Sequence, residues 1–134
     1  MRDTCSGRIL IVEDEDALVR ILEFMLRTRG YEVLSARDGA EGLRLAMNCR
    51  PDLIVLDIML PALDGVSVCR RLKDDELYRE IPIILLTAKV QPEAKLSGLD
   101  AGANLFLTKP YERATLLASI DRLVQEHRKK SRAA

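Results

Sequence analysis

Four acids follow one another at Glu13-Asp14-Glu15-Asp16, Asp57 closes the apolar run Leu53-Ile54-Val55-Leu56, Thr87 closes a second apolar run, and Lys109 stands before Pro110. Carboxylates, a hydroxyl and a cation suit metal binding and phosphoryl transfer. Carboxylates brought together repel: two unit charges about 4 Å apart at an effective dielectric near 20 interact by roughly 4 kcal/mol, so they take up protons or hold a cation. An all-oxygen set without His or Cys favours a hard ion such as Mg2+, which keeps several waters and bridges to a phosphate oxygen. A phosphoryl group on Asp57 would complete such a site, with the metal, the Lys109 ammonium and the Thr87 hydroxyl each meeting one of its oxygens.

That chemistry requires distant residues to meet, and the apolar patterning supplies the means. Leu53 to Asp57 is bounded by Pro51-Asp52 and by Pro61 and Asp64-Gly65, which predicts a short strand buried on both faces, as in a parallel sheet. Arg8 to Val12, Tyr31 to Ala36, Ile83 to Thr87 and Asn104 to Pro110 read as four further strands. Helical spacing of Leu18, Ile21, Leu22, Met25 and Leu26 predicts a first helix from Asp16 that stops at Gly30. A second helix starts at Asp38-Gly39 and ends before Pro51, and a third runs from Gly65 to Asp75. A fourth, Glu93 to Ala101, is weakened by Ser97-Gly98 and is expected to be the least stable. The last spans about Glu112 to His127, before Arg128-Lys129-Lys130-Ser131-Arg132 turns basic. Alternation of five strands with five helices predicts a parallel sheet covered on both faces, with right-handed crossovers. Such sheets bind ligands at the carboxyl ends of their strands, where Glu13, Asp14, Asp57, Thr87 and Lys109 all lie.

Bulk properties narrow the field further. At 134 residues and 48% hydrophobic content the chain suffices for one domain with its own core. Lys plus Arg and Asp plus Glu both number 21, so no overall basic field points to nucleic acid or an anionic membrane. Cys5, Cys49 and Cys69 are odd in number and widely spaced, which fits a reducing compartment and neither a disulfide framework nor a zinc site. No apolar run approaches the roughly 18 residues of a membrane helix and the first seven residues lack a signal-peptide core, so a cytoplasmic protein is expected. His127 stands among charges and reads as solvated.

Taken together, Glu13-Asp14, Asp57 with Met59, Pro61 and Asp64-Gly65 after it, Thr87-Ala88, Phe106 and Lys109-Pro110 resemble the receiver domains of two-component response regulators, over roughly Arg8 to Glu126. The resemblance implies a flavodoxin-like, doubly wound (βα)5 fold with a five-stranded parallel sheet of order 2-1-3-4-5. It implies that Asp57 takes a phosphoryl group from the phosphohistidine of a sensor histidine kinase or histidine phosphotransfer protein. Asp14 and Asp57 would bind Mg2+ directly, Glu13 through a water and Met59 through its main-chain carbonyl. Thr87 and Phe106 look like the switch pair, Lys109 would pair with phosphoryl oxygens, and the Lys109-Pro110 bond would be cis. Phosphorylation would alter protein contacts on the face of the fourth helix, fifth strand and fifth helix, with homodimerisation one outcome. The implied division is a leader over residues 1–7, a receiver domain over 8–127 and, over 128–134, a basic tail or the start of a linker to an output domain.

Each feature also has a bland reading. The acidic run alone would be a helix start favoured by the helix dipole, Thr87 a strand former, Lys109 a surface cation, Phe106 a core aromatic and Asp64 a turn former. Convergence with Asp57 is what sets the first three apart. The acidic run is no EF-hand, because the glycine turn and closing glutamate are missing. A nucleotide-binding domain is disfavoured because acids, not a Gly-rich phosphate loop, follow the first strand. An aspartyl-phosphate-forming phosphohydrolase is the alternative function, but such enzymes need an acid two residues after the nucleophile, where this chain has Met59. Met59 and Lys89 occupy the positions that flank the phosphoryl group in the family and tune dephosphorylation; apolar Met59 is expected to lengthen the phosphorylated state. No segment remains for a helix-turn-helix, so DNA binding by this chain is not expected.

Overall fold

A computed structural model describes residues 7–88 and 92–133. The β-branched stretch Gly7–Val12 (β1) is an interior strand of a parallel five-stranded sheet, order β2-β1-β3-β4-β5, with Tyr31–Ala36 (β2), Leu53–Asp57 (β3) at its centre, Ile83–Thr87 (β4) and Leu105–Thr108 (β5). Between and after them run Asp16–Thr28 (α1), Gly39–Cys49 (α2), Gly65–Lys73 (α3), Pro92–Asp100 (α4) and Arg113–Ala133 (α5). Every residue of β3 and β4 is buried, as continuous apolar runs require when both faces of a sheet are covered.

Alternation along the strands feeds two cores. Ile9, Ile11, Val55 and Ile84 pack with Val19, Leu22 and Leu26 of α1 and Leu116, Ile120 and Val124 of α5. On the opposite face Leu10, Val12, Ile54, Leu56 and Leu85 meet Ala46 of α2 and Val68, Cys69 and Leu72 of α3. Cys69 is fully buried and burial pushes its thiol up to about 11, so it is an apolar filler rather than a nucleophile. Cys49 is also a free thiol, and Cys5 lies outside the described residues.

Local signals set the element ends. Gly30 adopts φ 90 after α1. Asp38 and Asp64 cap α2 and α3 by accepting from the Glu41 and Ser67 N–H groups at 2.8 and 2.9 Å. Two expectations require correction. The last helix continues beyond His127 to Ala133, because Arg128, Lys129 and Lys130 favour helix, complement its dipole and precede no breaker. His127 is not solvated: its side chain is 14% exposed and its Nε2 lies 3.9 Å from Asp52 Oδ1 at the amino-terminal edge of the sheet. Among the described residues no helix is long and apolar enough to cross a membrane.

Candidate functional site

Strand register brings the acids together. Val12 lies opposite Leu56, so Glu13 and Asp57 leave β1 and β3 side by side. Asp57 pairs with Leu86, which sets Thr87 one residue further along β4; the Lys109 N–H then donates to the Thr87 carbonyl at 2.8 Å. The chain passes from β1 outward to β2 and returns on the other side to β3, so these groups meet in the crevice where the strand order reverses.

Within the crevice Asp57 is 6% exposed, Glu13 3% and Thr87 fully buried, whereas Asp14 faces solvent. The Lys109 ammonium donates to Glu13 Oε1 at 2.8 Å and to Asp57 Oδ2 at 3.1 Å. The Met59 N–H donates to Asp57 Oδ1 at 3.0 Å, so both oxygens of the carboxylate are held. Burial pushes the Glu13 carboxyl above its ordinary range, the Lys109 hydrogen bond opposes that rise, and the Asp57 charge adds to it. Burial works against the Lys109 ammonium too, but hydrogen bonds to Glu13 and Asp57 outweigh it and raise its pKa. One carboxylate oxygen each from Glu13, Asp14 and Asp57 lies within 4.8 Å of the others. That oxygen-only set beside the Lys109 ammonium fits a hard divalent cation and not zinc or copper.

The remaining residues singled out from sequence lie at different distances from this cluster. Met59 is 55% exposed and lines a shallow cleft with Asp14, Ile58, Leu60, Pro61 and Asp64. Phe106 is half-buried and packs into the core on the α2 and α3 face rather than among the acids. It sits against α4, since a Cβ on Gly98 would come 3.2 Å from its Cδ2. Gly98 is thus a close-packing residue as well as a weak point of its helix. The Lys109-Pro110 bond is cis. Lys89 lies outside the described residues.

Sequence reasoning read Gly39 and Gly65 only as turn and helix-start residues, and missed how tightly each is packed. A Cβ on Gly65 would lie 2.2 Å from the Asp57 carbonyl oxygen, and one on Gly39 only 1.6 Å from that of Leu63. The available signal was a glycine at the first position of a helix, where propensity alone favours other residues.

Comparison with known proteins places the whole arrangement. The response regulator receiver domain family matches over residues 9–121. This chain belongs to that family. The receiver domain is 45% identical to the response regulator PleD of Caulobacter vibrioides over 120 residues, which are 90% of this chain and 26% of PleD. It spans between about a quarter and a half of the length of the curated relatives it matches, at 26%, 43% and 49% of three of them. Among solved structures it superposes with a TM-score of 0.85 on the CheY-like receiver domain protein of Methanospirillum hungatei JF-1, at 31% identity, covering 92% of this chain and 97% of that one. The receiver domain of the sensor histidine kinase PA1611 from Pseudomonas aeruginosa PAO1 gives a TM-score of 0.81 at 39% identity, covering 89% of this chain and 98% of that one; its structure has a magnesium ion coordinated in the active site cleft. Phosphoryl acceptance within two-component signalling is the general function of receiver domains, and the β2-β1-β3-β4-β5 sheet is the flavodoxin-like fold expected from sequence.

Proposed function

We propose that this receiver domain accepts a phosphoryl group on Asp57 from the phosphohistidine of a histidine kinase or phosphotransfer protein and signals through protein contacts. The observation that carries the reading is the buried Asp57 carboxylate, grouped with Glu13 and Asp14 and held by Lys109 at 3.1 Å. Asp14 and Asp57 would hold Mg2+ directly, Glu13 through a water and Met59 through its carbonyl. When bound, Mg2+ neutralises charge on the carboxylates and on the incoming phosphoryl oxygens.

The chain's own groups do the rest. An Asp57 carboxylate oxygen forms the new O–P bond as the donor's N–P bond breaks, and the departing imidazole keeps the N–P electron pair. The Met59 N–H orients the carboxylate beforehand. Lys109 exchanges its bond to Asp57 for one to a phosphoryl oxygen, and the Thr87 hydroxyl donates to another. Movement of Thr87 toward that oxygen and of Phe106 behind it would bias two arrangements of the α4, β5 and α5 face. Leu96 and Leu99 of α4 are 65% and 43% exposed there, which supports a contact surface for an effector, an output domain or a second copy.

Incubation with acetyl phosphate and Mg2+ tests the reading: the chain should gain one base- and hydroxylamine-labile phosphoryl group, and EDTA or Asp57→Asn should abolish it. Equal labelling of Asp57→Asn would contradict it. An exposed Met59 where hydrolases need an acid supports a long-lived adduct rather than turnover. Met59→Asn, offering an amide that positions water, should shorten the half-life of the phosphorylated form several-fold, roughly 1 kcal/mol in the barrier; an unchanged or longer half-life counts against this role.

A further inference from the structure

The segment between β3 and α3 connects Asp57 to α3, and its shape is set from outside itself. Two short-range bonds fold it: the Leu60 N–H donates to the Ile58 carbonyl at 3.1 Å, and the Leu63 N–H to the Pro61 carbonyl at 2.8 Å. The second closes a three-residue turn around Ala62, which sits at φ 70, a region that an L-residue with a Cβ enters only at a cost. A turn of this kind persists when neighbouring structure holds it.

The holder is the first turn of α2. The Gly39 N–H donates to the same Pro61 carbonyl at 3.2 Å, so that oxygen receives both Leu63 and Gly39. The Leu63 main chain fills the space of a Gly39 side chain, its carbonyl oxygen and carbon lying 1.6 and 2.6 Å from where a Cβ would stand. Asp38 fixes this turn in place by capping Glu41. The other end of the segment carries the Met59 N–H, which donates to Asp57 Oδ1.

We propose that Gly39 is a positioning residue for the metal and phosphoryl site: α2 clamps the segment 58–64 through Gly39 and thereby sets the Met59 main chain against Asp57. This rests on the Mg2+-dependent phosphoryl acceptance proposed above. It makes the seat of α2 a lever on the site, so Mg2+ at Asp57 and the docking of α2 on Pro61 stabilise one another by the same factor.

Gly42 supplies the control. It lies on the same helix, and a Cβ there would strike the Val12 side chain at 2.7 Å, disturbing α2 against β1 without touching the segment. Mg2+ affinity, measured by titration calorimetry on the folded protein, should fall about tenfold or more in Gly39→Ala, as when a group that orients metal ligands is lost. It should stay within about twofold of wild type in Gly42→Ala even where thermal stability falls equally. Amide hydrogen exchange on the wild-type chain decides independently of whether Gly39→Ala folds. Saturating Mg2+ should slow exchange of the Gly39 N–H about tenfold and leave that of Gly42 unchanged. Wild-type Mg2+ binding with equal affinities in the two variants, or with no selective protection of Gly39, overturns the positioning role and leaves the function standing. Failure of the wild-type chain to bind Mg2+ overturns both.

Discussion

Lys109→Ala is expected to slow phosphorylation of Asp57 by acetyl phosphate about 100-fold at saturating Mg2+, the usual consequence of removing one preorganised donor from a developing anion. Binding of Mg2+ should not weaken, because the ammonium competes with a cation for Glu13 and Asp57, from which it lies 2.8 and 3.1 Å. A variant that transfers phosphate at the wild-type rate would remove Lys109 from the chemistry. The same substitution has a signature in stability. Burial raises the Glu13 pKa and Lys109 restrains the rise. With the folded pKa above the unfolded one, the contribution of Glu13 is complete below the ordinary glutamate value and lost as pH climbs through the raised value. Without Lys109 that value moves higher still, so the loss deepens and extends toward neutrality. Denaturant unfolding in EDTA should show Lys109→Ala about 2 kcal/mol less stable than wild type at neutral pH, with the curves converging in acid. A difference independent of pH would contradict the electrostatic role.

Gly65→Ala should have an effect of similar size by a different route. The added methyl would meet the Asp57 carbonyl oxygen at 2.2 Å, the Ile58 Cα at 2.8 Å and the Asp57 carbonyl carbon at 2.9 Å. All three are main chain, so no rotamer change relieves the contact. Either α3 retreats, breaking the bond from the Gly65 N–H to the Ile58 carbonyl at 2.9 Å, or the end of β3 shifts. Overpacking of this kind costs about 3 kcal/mol. A displaced Asp57 should also slow phosphoryl transfer about 100-fold in the molecules that remain folded, since misplacement near 1 Å has that consequence. Thermal melts and labelling rates check the two effects; wild-type behaviour in both would show that the loop absorbs a methyl freely.

The fold was legible because its signals are local. Leu53 to Asp57 and Ile83 to Thr87 are short unbroken apolar runs, and only doubly covered strands use such runs economically. Asp38, Asp64, Gly30 and Pro51 marked element ends through side-chain and backbone chemistry visible in the residue itself. The convergence of Glu13, Asp14, Asp57, Thr87 and Lys109 followed from their shared placement at strand ends. What stayed hidden depends on packing between distant segments. The closeness of Gly39 to Leu63, the left-handed turn at Ala62 and the burial of His127 against Asp52 are set by how elements dock, and no short pattern encodes them. The end of α5 was missed for a simpler reason: a basic run reads as a tail, although lysine and arginine sustain a helix well.

The phosphoryl acceptor itself can be located chemically. An aspartyl phosphate is an acyl phosphate, which borohydride reduces to an alcohol with release of phosphate, leaving homoserine where the aspartate stood. After treatment with acetyl phosphate and Mg2+, reduction and peptide mass mapping should find homoserine at position 57 and aspartate intact at 14, 38, 52 and 64. Homoserine at another of these positions, or none anywhere while phosphate is retained, would contradict the assignment of Asp57.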